Sequence, residues 1–439
     1  MKTVAFRTLG CKLNQYETQI IQQMLLKSCF SVVSFDSPAD FYIINTCTVT
    51  GKSDYKSRQA IRQAVRRGEN SRVIVTGCYA QTNPQEISQI PGVDLIIGNS
   101  EKWQILEYLS STGVKVEDIS NQNQFDTPEI SDFGGNTRAF IKIQDGCNRQ
   151  CSYCRVPLAR GPSRSQSLAR VISQAEGIVA KGYREIVLTG VDLGGYGWDL
   201  KEEVDLSGLL KELMQVDGLA RIRLSSIEPT EIPEELIDLI RGPKICSHLH
   251  IPLQSGSDRI LERMGRRYEA YFYKDLILNL RETVPGIALG ADVMVGFPGE
   301  GEEDFNSTLR LIEELPLAYL HVFEYSRRAG TKAATFKPEV PPAVKKKRSE
   351  ILRRLSAEKS LLFRKEFEGA TLSVLILNTL DKETEYLRGL SDNYIEVLCP
   401  GVNGNEWFNR IAAVRITEVS SDRTMGELIP GGSSVTTQN

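Results

Sequence analysis

The chain has 439 residues, of which 41% are hydrophobic and 25% charged, with a net charge of −3. That length exceeds a single hydrophobic core and points to about three domains, and the balance of apolar and charged residues excludes wholesale disorder. No apolar run approaches the ~18 residues of a membrane helix, and Met1–Arg7 lacks the apolar stretch of a secretory leader, so the expected location is the cytoplasm and no membrane partner is expected. Nine cysteines in a reducing compartment argue for metal or redox chemistry rather than a disulfide framework.

In chain order, Val4–Thr8 is a short β-rich run, and residues 16–28 place Ile20 and Met24, and Ile21 and Leu25, four apart on one helical face. Phe41–Asn45, Val73–Gly77 and Val93–Gly98 read as strands, with a basic helix over 53–67 between the first two. Alternation of this kind predicts a parallel sheet with helices on its faces. Residues 120–137 are polar, with Pro and Gly, and read as a linker. Strands are then predicted at 139–144, 185–189, 220–225, 248–253, 288–295 and 319–325, with helices between them. Six βα units suit an open barrel rather than a closed eight-stranded one. A charged helix runs to about 368, after which 371–377, 394–398 and 411–416 are β-rich and predict a small antiparallel barrel. The fold class is therefore α/β: an N-terminal parallel sheet domain over 1–119, an open six-unit partial barrel over 133–368, and a small β-barrel over 369–431.

The sharpest signal is Cys147-Asn148-Arg149-Gln150-Cys151-Ser152-Tyr153-Cys154, a C-x3-C-x2-C loop directly after a strand. Three thiolates on one loop can hold a four-iron cluster, which usually takes four, so one iron keeps an open position able to chelate the amino and carboxylate groups of a small molecule. A zinc site completed by a distant residue is the alternative. Cys11, Cys47 and Cys78 each follow a predicted strand through a short Gly-Cys or Thr-Cys step. Carboxyl ends of parallel strands share one edge of a sheet, so these three can converge on a second three-ligand centre. The plainer alternative is three unrelated buried thiols. Cys29, Cys246 and Cys399 lack such contexts, and His248, His250 and His321 read as core or cavity-lining residues.

Taken together with Thr8-Leu9-Gly10-Cys11-Lys12-Leu13-Asn14-Gln15-Tyr16-Glu17-Thr18, Ile44-Asn45-Thr46-Cys47-Thr48-Val49-Thr50 and Ala159-Arg160-Gly161-Pro162-Ser163-Arg164-Ser165, the loop resembles the radical S-adenosylmethionine methylthiotransferases. The residues after Gly10-Cys11 are most like the branch acting on N6-threonylcarbamoyladenosine at position 37 of tRNA. The stretch Tyr386–Tyr394 is similar to the TRAM domain, an RNA-binding β-barrel. The resemblance implies two [4Fe-4S] clusters and two S-adenosylmethionine molecules per turnover. It implies that the cluster at Cys147, Cys151 and Cys154 cleaves one of these to a radical that attacks adenine C2. The cluster at Cys11, Cys47 and Cys78 holds the sulfur, which the second molecule methylates. Adenine C2–H is beyond any side-chain base, so a cofactor must carry that step.

The resemblance also implies S-adenosylmethionine contacts at strand ends: Thr189, Gly190 and Asp192, then Glu228 for ribose hydroxyls, Gln254 and Asp292, with Tyr153 packing against adenine. Arg160 and Arg164 are candidates for a carboxylate or an RNA phosphate. Lys346 in the basic helix and Arg388 with Tyr394 are candidates for RNA, the last by base stacking. Residues 52–72, 142–184 and 345–365 are locally basic, which suits a polyanionic partner, whereas 370–431 carries five Lys or Arg against nine Asp or Glu. Expected partners are a tRNA anticodon stem-loop, an electron donor such as flavodoxin or ferredoxin, and a sulfur source. The alternatives are methylthiolation of isopentenyladenosine or of a ribosomal-protein aspartate, and, from another class, a non-catalytic metal-bearing RNA-binding protein.

Overall fold

A computed structural model describes residues 1–68, 70–130, 132–400 and 406–429, so the expected boundary at 431 lies outside the described residues. The N-terminal region is a six-stranded sheet of β1 (Lys2–Thr8), β2 (Phe30–Val33), β3 (Phe41–Thr46), β4 (Arg72–Gly77), β5 (Leu95–Ile97) and β6 (Gly113–Lys115), in the order β2-β1-β3-β4-β5-β6. Every neighbouring pair is parallel. Helices α1 (Lys12–Lys27), α2 (Gly51–Arg67), α3 (Cys78–Thr82), α4 (Pro84–Ser88) and α5 (Ile105–Tyr108) connect them. β3 is buried along its whole length and reads as the continuous apolar run of a central strand covered on both faces. The short edge strands β2 and β6 carry too little alternation to be read from sequence, and α1 begins at Lys12, four residues before the expected start at 16.

Next come β7 (Ala139–Lys142) and a two-stranded ribbon of β8 (Gln144–Asp145) and β9 (Arg164–Ser165) that brackets the C-x3-C-x2-C loop and α6 (Val156–Arg160). Strands β10 (Glu185–Thr189), β11 (Arg221–Leu224), β12 (His248–His250), β13 (Ala288–Val295) and β14 (Tyr319–Glu324) follow. Helices α7 (Leu168–Ala180), α8 (Leu206–Met214), α9 (Glu234–Ile240), α10 (Asp258–Met264), α11 (Ala270–Thr283) and α12 (Glu302–Glu314) alternate with them. The pairings β7-β10-β11 and β12-β13-β14 are parallel, and parallel bridges Ile222–Ile245 and Ser226–His250 join the two halves into six strands in sequence order. This is the open six-unit arrangement predicted from the chain.

After α13 (Pro342–Lys365), strands β15 (Thr371–Leu380), β16 (Leu387–Ser391), β17 (Glu396–Cys399), β18 (Ile411–Val419) and β19 (Thr424–Leu428) close a barrel in the order β15-β16-β17-β19-β18. Closure removes free sheet edges. All its pairs are antiparallel except the short parallel contact of β17 with β19. The expected linker 120–137 has little regular structure, but it is not a free tether. Phe133 is buried among the rings of Tyr16, Phe140 and Tyr183, because the segment closes the seam between α1 and the barrel flank.

Candidate functional site

The N-terminal cysteines all sit where a strand of the first sheet ends. Cys11 caps α1 after β1, Cys47 follows β3, and Cys78 opens α3 after β4. Gly10 and Gly77, at φ +103° and +94°, supply turns that other residues adopt poorly. A Cβ on Gly10 would lie 3.0 Å from the Cys47 sulfur, so residue 10 must be bare for the loops of Cys11 and Cys47 to meet. Burial pushes the Cys47 thiol up to about 11, and the neighbouring sulfurs of Cys78 and Cys11 add to it. Cys78 is also raised by burial, with Arg160 and Lys102 opposing.

Those cations belong to a buried ion cluster that ties the sheet to the barrel. Glu17 on α1 accepts from Lys102 at 2.7 Å, Arg160 at 2.8 Å and Lys142 at 3.2 Å. Asp145 takes Lys142 at 2.5 Å, Arg160 at 2.9 Å and Arg164 at 3.5 Å. Burial alone would raise the Glu17 carboxyl, but Arg160, Lys102 and Lys142 outweigh it and hold it well below the usual carboxylate range. Four cations face two carboxylates, which leaves positive charge beside the N-terminal thiols. Such an excess favours the thiolate form of metal-binding cysteines. Asn14 completes the junction, donating to Leu9 and Thr46 carbonyls and accepting from Arg160 at 2.8 Å.

The second triad lies on the loop between β8 and α6, at the carboxyl end of β7. Backbone N–H groups of Arg149 and Val156 donate to the sulfurs of Cys147 and Cys154, each at 3.4 Å. Arg266 reaches Cys151 at 3.4 Å and the Tyr153 hydroxyl at 3.5 Å, and pairs with Glu228. Burial pushes the Cys154 thiol up to about 12 and also raises Cys147. The next residue, Arg155, donates to Thr48 at 3.2 Å and Asn83 at 3.0 Å, and Arg328 donates to the same Thr48 at 2.7 Å. Thr48 directly follows Cys47, so the two cysteine loops are pinned to each other. Asn99 strengthens the link by donating to the Ala159 carbonyl at 2.6 Å while lying 4.0 Å from the Cys78 sulfur.

The other expected residues divide. Thr189 and Gly190 end β10 next to Gln144, whose amide accepts from Val191 and Asp192 N–H and donates to Gly146 and Ser163. Asp192 lies 3.7 Å from the Cys147 sulfur and pairs with Arg149 at 3.0 Å. Gln254 holds a left-handed φ of +63° and bonds back to Asp292 through its N–H. Asp292 accepts from His250 at 2.9 Å and His321 at 3.3 Å. Burial pushes its carboxyl up, but these bonds outweigh that and hold it well below the usual range. Tyr153 meets Phe297 edge-on at 6.4 Å. His248 and His250 are buried in the barrel, as read, whereas His321 is exposed.

Arg160 and Arg164 are buried in the ion cluster, which corrects the expectation that they face an RNA phosphate. Their Arg-x3-Arg spacing looks like a surface patch in sequence because its acidic partners lie far away in the chain. Tyr394, expected as a stacking platform for RNA, instead stacks on His248 at 4.3 Å inside the barrel. Lys346 is exposed and pairs loosely with Glu350 at 3.9 Å, and Arg388 pairs with Glu396 at 2.6 Å. Glu17, Gln144, Arg149, Arg155 and Arg266 were not singled out from the sequence, although Glu17 falls within the Thr8–Thr18 motif and Arg149 within the Cys147–Cys154 loop.

No helix among the described residues is long and apolar enough to cross a membrane. A family model of the Radical SAM superfamily matches residues 141–312, and one described as Uncharacterized protein family UPF0004 matches residues 3–98. The chain is 41% identical to threonylcarbamoyladenosine tRNA methylthiotransferase MtaB of Bacillus subtilis (strain 168), covering 98% of this chain and 97% of the relative. It is 42% identical to the protein of that name from Aquifex aeolicus (strain VF5), over 90% and 96%. It is 34% identical to ribosomal protein uS12 methylthiotransferase RimO of Geotalea uraniireducens (strain Rf4), over 97% and 98%. Among solved structures, the radical S-adenosylmethionine methyltransferase TsrM from Kitasatospora setae, with cobalamin and a [4Fe-4S] cluster bound, aligns with a TM-score of 0.57 at 16% identity. That alignment covers 76% of this chain and 77% of TsrM, a likeness of fold.

Proposed function

The chain belongs to the radical S-adenosylmethionine methylthiotransferase family, and from that premise we propose that it installs a 2-methylthio group on N6-threonylcarbamoyladenosine at position 37 of tRNA. The observation that carries this reading is the pinning of two cysteine triads to one another across the β7 edge, at the carboxyl ends of the barrel strands. A substrate base placed between them would meet both. The identity to relatives named threonylcarbamoyladenosine tRNA methylthiotransferase, 35–42%, exceeds the 34% to the ribosomal-protein relative and the 32% to a tRNA-2-methylthio-N(6)-dimethylallyladenosine synthase of Clostridium perfringens (strain SM101 / Type A), which favours the threonylcarbamoyl substrate.

The donor sets fit two iron–sulfur clusters. Each supplies three thiols and no fourth cysteine, so each leaves one iron for an exogenous ligand. Burial disfavours the thiolates of Cys47 and Cys154, and metal binding offsets that cost by stabilising them. Cys147, Cys151 and Cys154 would hold the cluster that engages S-adenosylmethionine, and Cys11, Cys47 and Cys78 the cluster that carries sulfur. When bound, these groups supply the radical cleavage of a C–H bond and the transferable sulfur that side chains cannot.

The chain itself orients the site. Gln144 fixes the turn after β10 by accepting from the Val191 and Asp192 N–H groups, which sets Asp192 beside the Cys147 sulfur. Arg266 holds Glu228 and bonds to Cys151, coupling the cluster loop to the third strand's end. Tyr153, between two of the loop cysteines, packs edge-on against the buried Phe297 ring, which fixes its orientation. We assign 1–119 to sulfur carriage, 133–368 to radical generation and 369–431 to docking RNA, the last supported by its closed five-stranded β-barrel, with exposed Lys346 of α13 as a further RNA contact on the neighbouring unit. A flavodoxin- or ferredoxin-like donor would feed electrons and a separate sulfur source would refill the N-terminal site. Nucleoside mass spectrometry after turnover on a threonylcarbamoylated anticodon stem-loop tests the reading. A gain of methylthio on that nucleoside supports it; methylthiolation of an isopentenyladenosine stem-loop instead would overturn it.

A further inference from the structure

Around Glu185, at the start of β10, cations outnumber acids. Glu185 is the acid shared by Arg223 at 2.8 Å and, more loosely, by Arg221 and Arg138, each at 3.8 Å. Arg221 and Arg223 are otherwise satisfied by carbonyls of the C-terminal barrel at Ser373, Ser391 and Asp392. Arg138 keeps a buried Nη1 with no hydrogen-bond partner. Lys12 is half-buried, and among the described residues it has no ion pair. The face it meets is the Tyr394 ring, 6.0 Å away, and the charges acting on it are Arg138, Arg223 and Glu185. An ammonium held among like charges is costly unless an anion arrives to compensate it.

Lys12 directly follows Cys11, so its ammonium lies within one side chain's reach of the N-terminal triad. In adenine, C2 and the carbon bearing N6 flank the same ring nitrogen. A base whose C2 faces the sulfur at Cys11, Cys47 and Cys78 therefore carries its N6 substituent along the neighbouring edge, and Lys12 is the cation next to that triad in the chain. The threonylcarbamoyl substituent ends in a carboxylate, whereas an isopentenyl group is apolar. We propose that the unpaired Lys12 ammonium, with Arg138 behind it, binds the threonyl carboxylate of the substrate and so determines which N6-modified adenosine is accepted. This inference rests on the substrate reading above. A charged hydrogen bond of this kind is worth about ten- to hundredfold in affinity.

The test uses reconstituted full-length enzyme and two stem-loops, one with threonylcarbamoyladenosine and one with its methyl ester. Wild type should show a KM about ten- to hundredfold higher for the ester. Lys12→Met should lose that discrimination and Lys12→Arg should keep most of it. Equal KM values for acid and ester in wild type, which requires no variant, would overturn the proposal. So would a Lys12→Met enzyme that still prefers the acid. A Lys12→Met enzyme whose KM rises for S-adenosylmethionine while its acid preference persists would assign the ammonium to the methionyl carboxylate instead, again overturning it. If wild type turned over neither stem-loop, the substrate reading itself would fail, an outcome distinct from the others.

Discussion

The two cysteine triads reach one site by opposite routes. Cys147, Cys151 and Cys154 lie within eight residues on a single loop, so local chain geometry assembles them and backbone N–H groups line the sulfurs. Cys11, Cys47 and Cys78 come from three strand ends, so only the completed sheet assembles them. The first centre is a property of a loop; the second is a property of a fold. The contrast extends to charge. A buried network of four cations and two carboxylates stands beside the strand-end triad, whereas one arginine, Arg266, serves the loop triad.

The largest expected effect breaks the pair apart. Replacing Cys147, Cys151 and Cys154 together with Ala should halve the iron of anaerobically reconstituted protein, from about eight atoms to about four, and replacing Cys11, Cys47 and Cys78 should do the same. If the second set left the iron count unchanged, the strand-end triad would hold no cluster. A smaller effect is expected on stability. Glu17→Gln removes the acid at the centre of three buried cations and should cost about 3–5 kcal/mol in denaturant unfolding. Because the folded Glu17 carboxyl lies below its unfolded value of 4.5, its contribution is full above that pH and is lost as pH falls. The difference between wild type and variant should therefore shrink below about pH 4.5. A pH-independent difference would mean that packing, not charge, accounts for the loss. The smallest effect concerns the link between the triads: Arg155→Ala should cost about 1.5–3 kcal/mol by removing bonds to Thr48 and Asn83. An unchanged unfolding midpoint would show that Arg328 alone suffices to hold Thr48.

Both triads were legible in the sequence for reasons that mirror this contrast. The loop triad showed in its spacing. The strand-end triad showed only because three short steps, Gly10-Cys11, Thr46-Cys47 and Gly77-Cys78, recur after apolar runs. The six barrel strands were visible as β-rich segments between helical ones, and the structure keeps their order. What sequence could not show was pairing across distance. Arg160 looks like a surface cation until Glu17 and Asp145 are brought to it, and Tyr394 looks like a stacking platform until His248 lies against it. Phe133 looks like part of a tether until Tyr16 and Tyr183 enclose it. In each case the chain supplies one partner locally and the fold supplies the other from far away.

The central claim is that the loop triad generates the radical and the strand-end triad delivers the sulfur. Cys47→Ala tests it most directly, with 5′-deoxyadenosine and methylthiolated nucleoside measured in the same reaction. The account predicts that 5′-deoxyadenosine still forms under reduction while the methylthio product falls to background. Methylthiolated tRNA from the Cys47→Ala enzyme would contradict it.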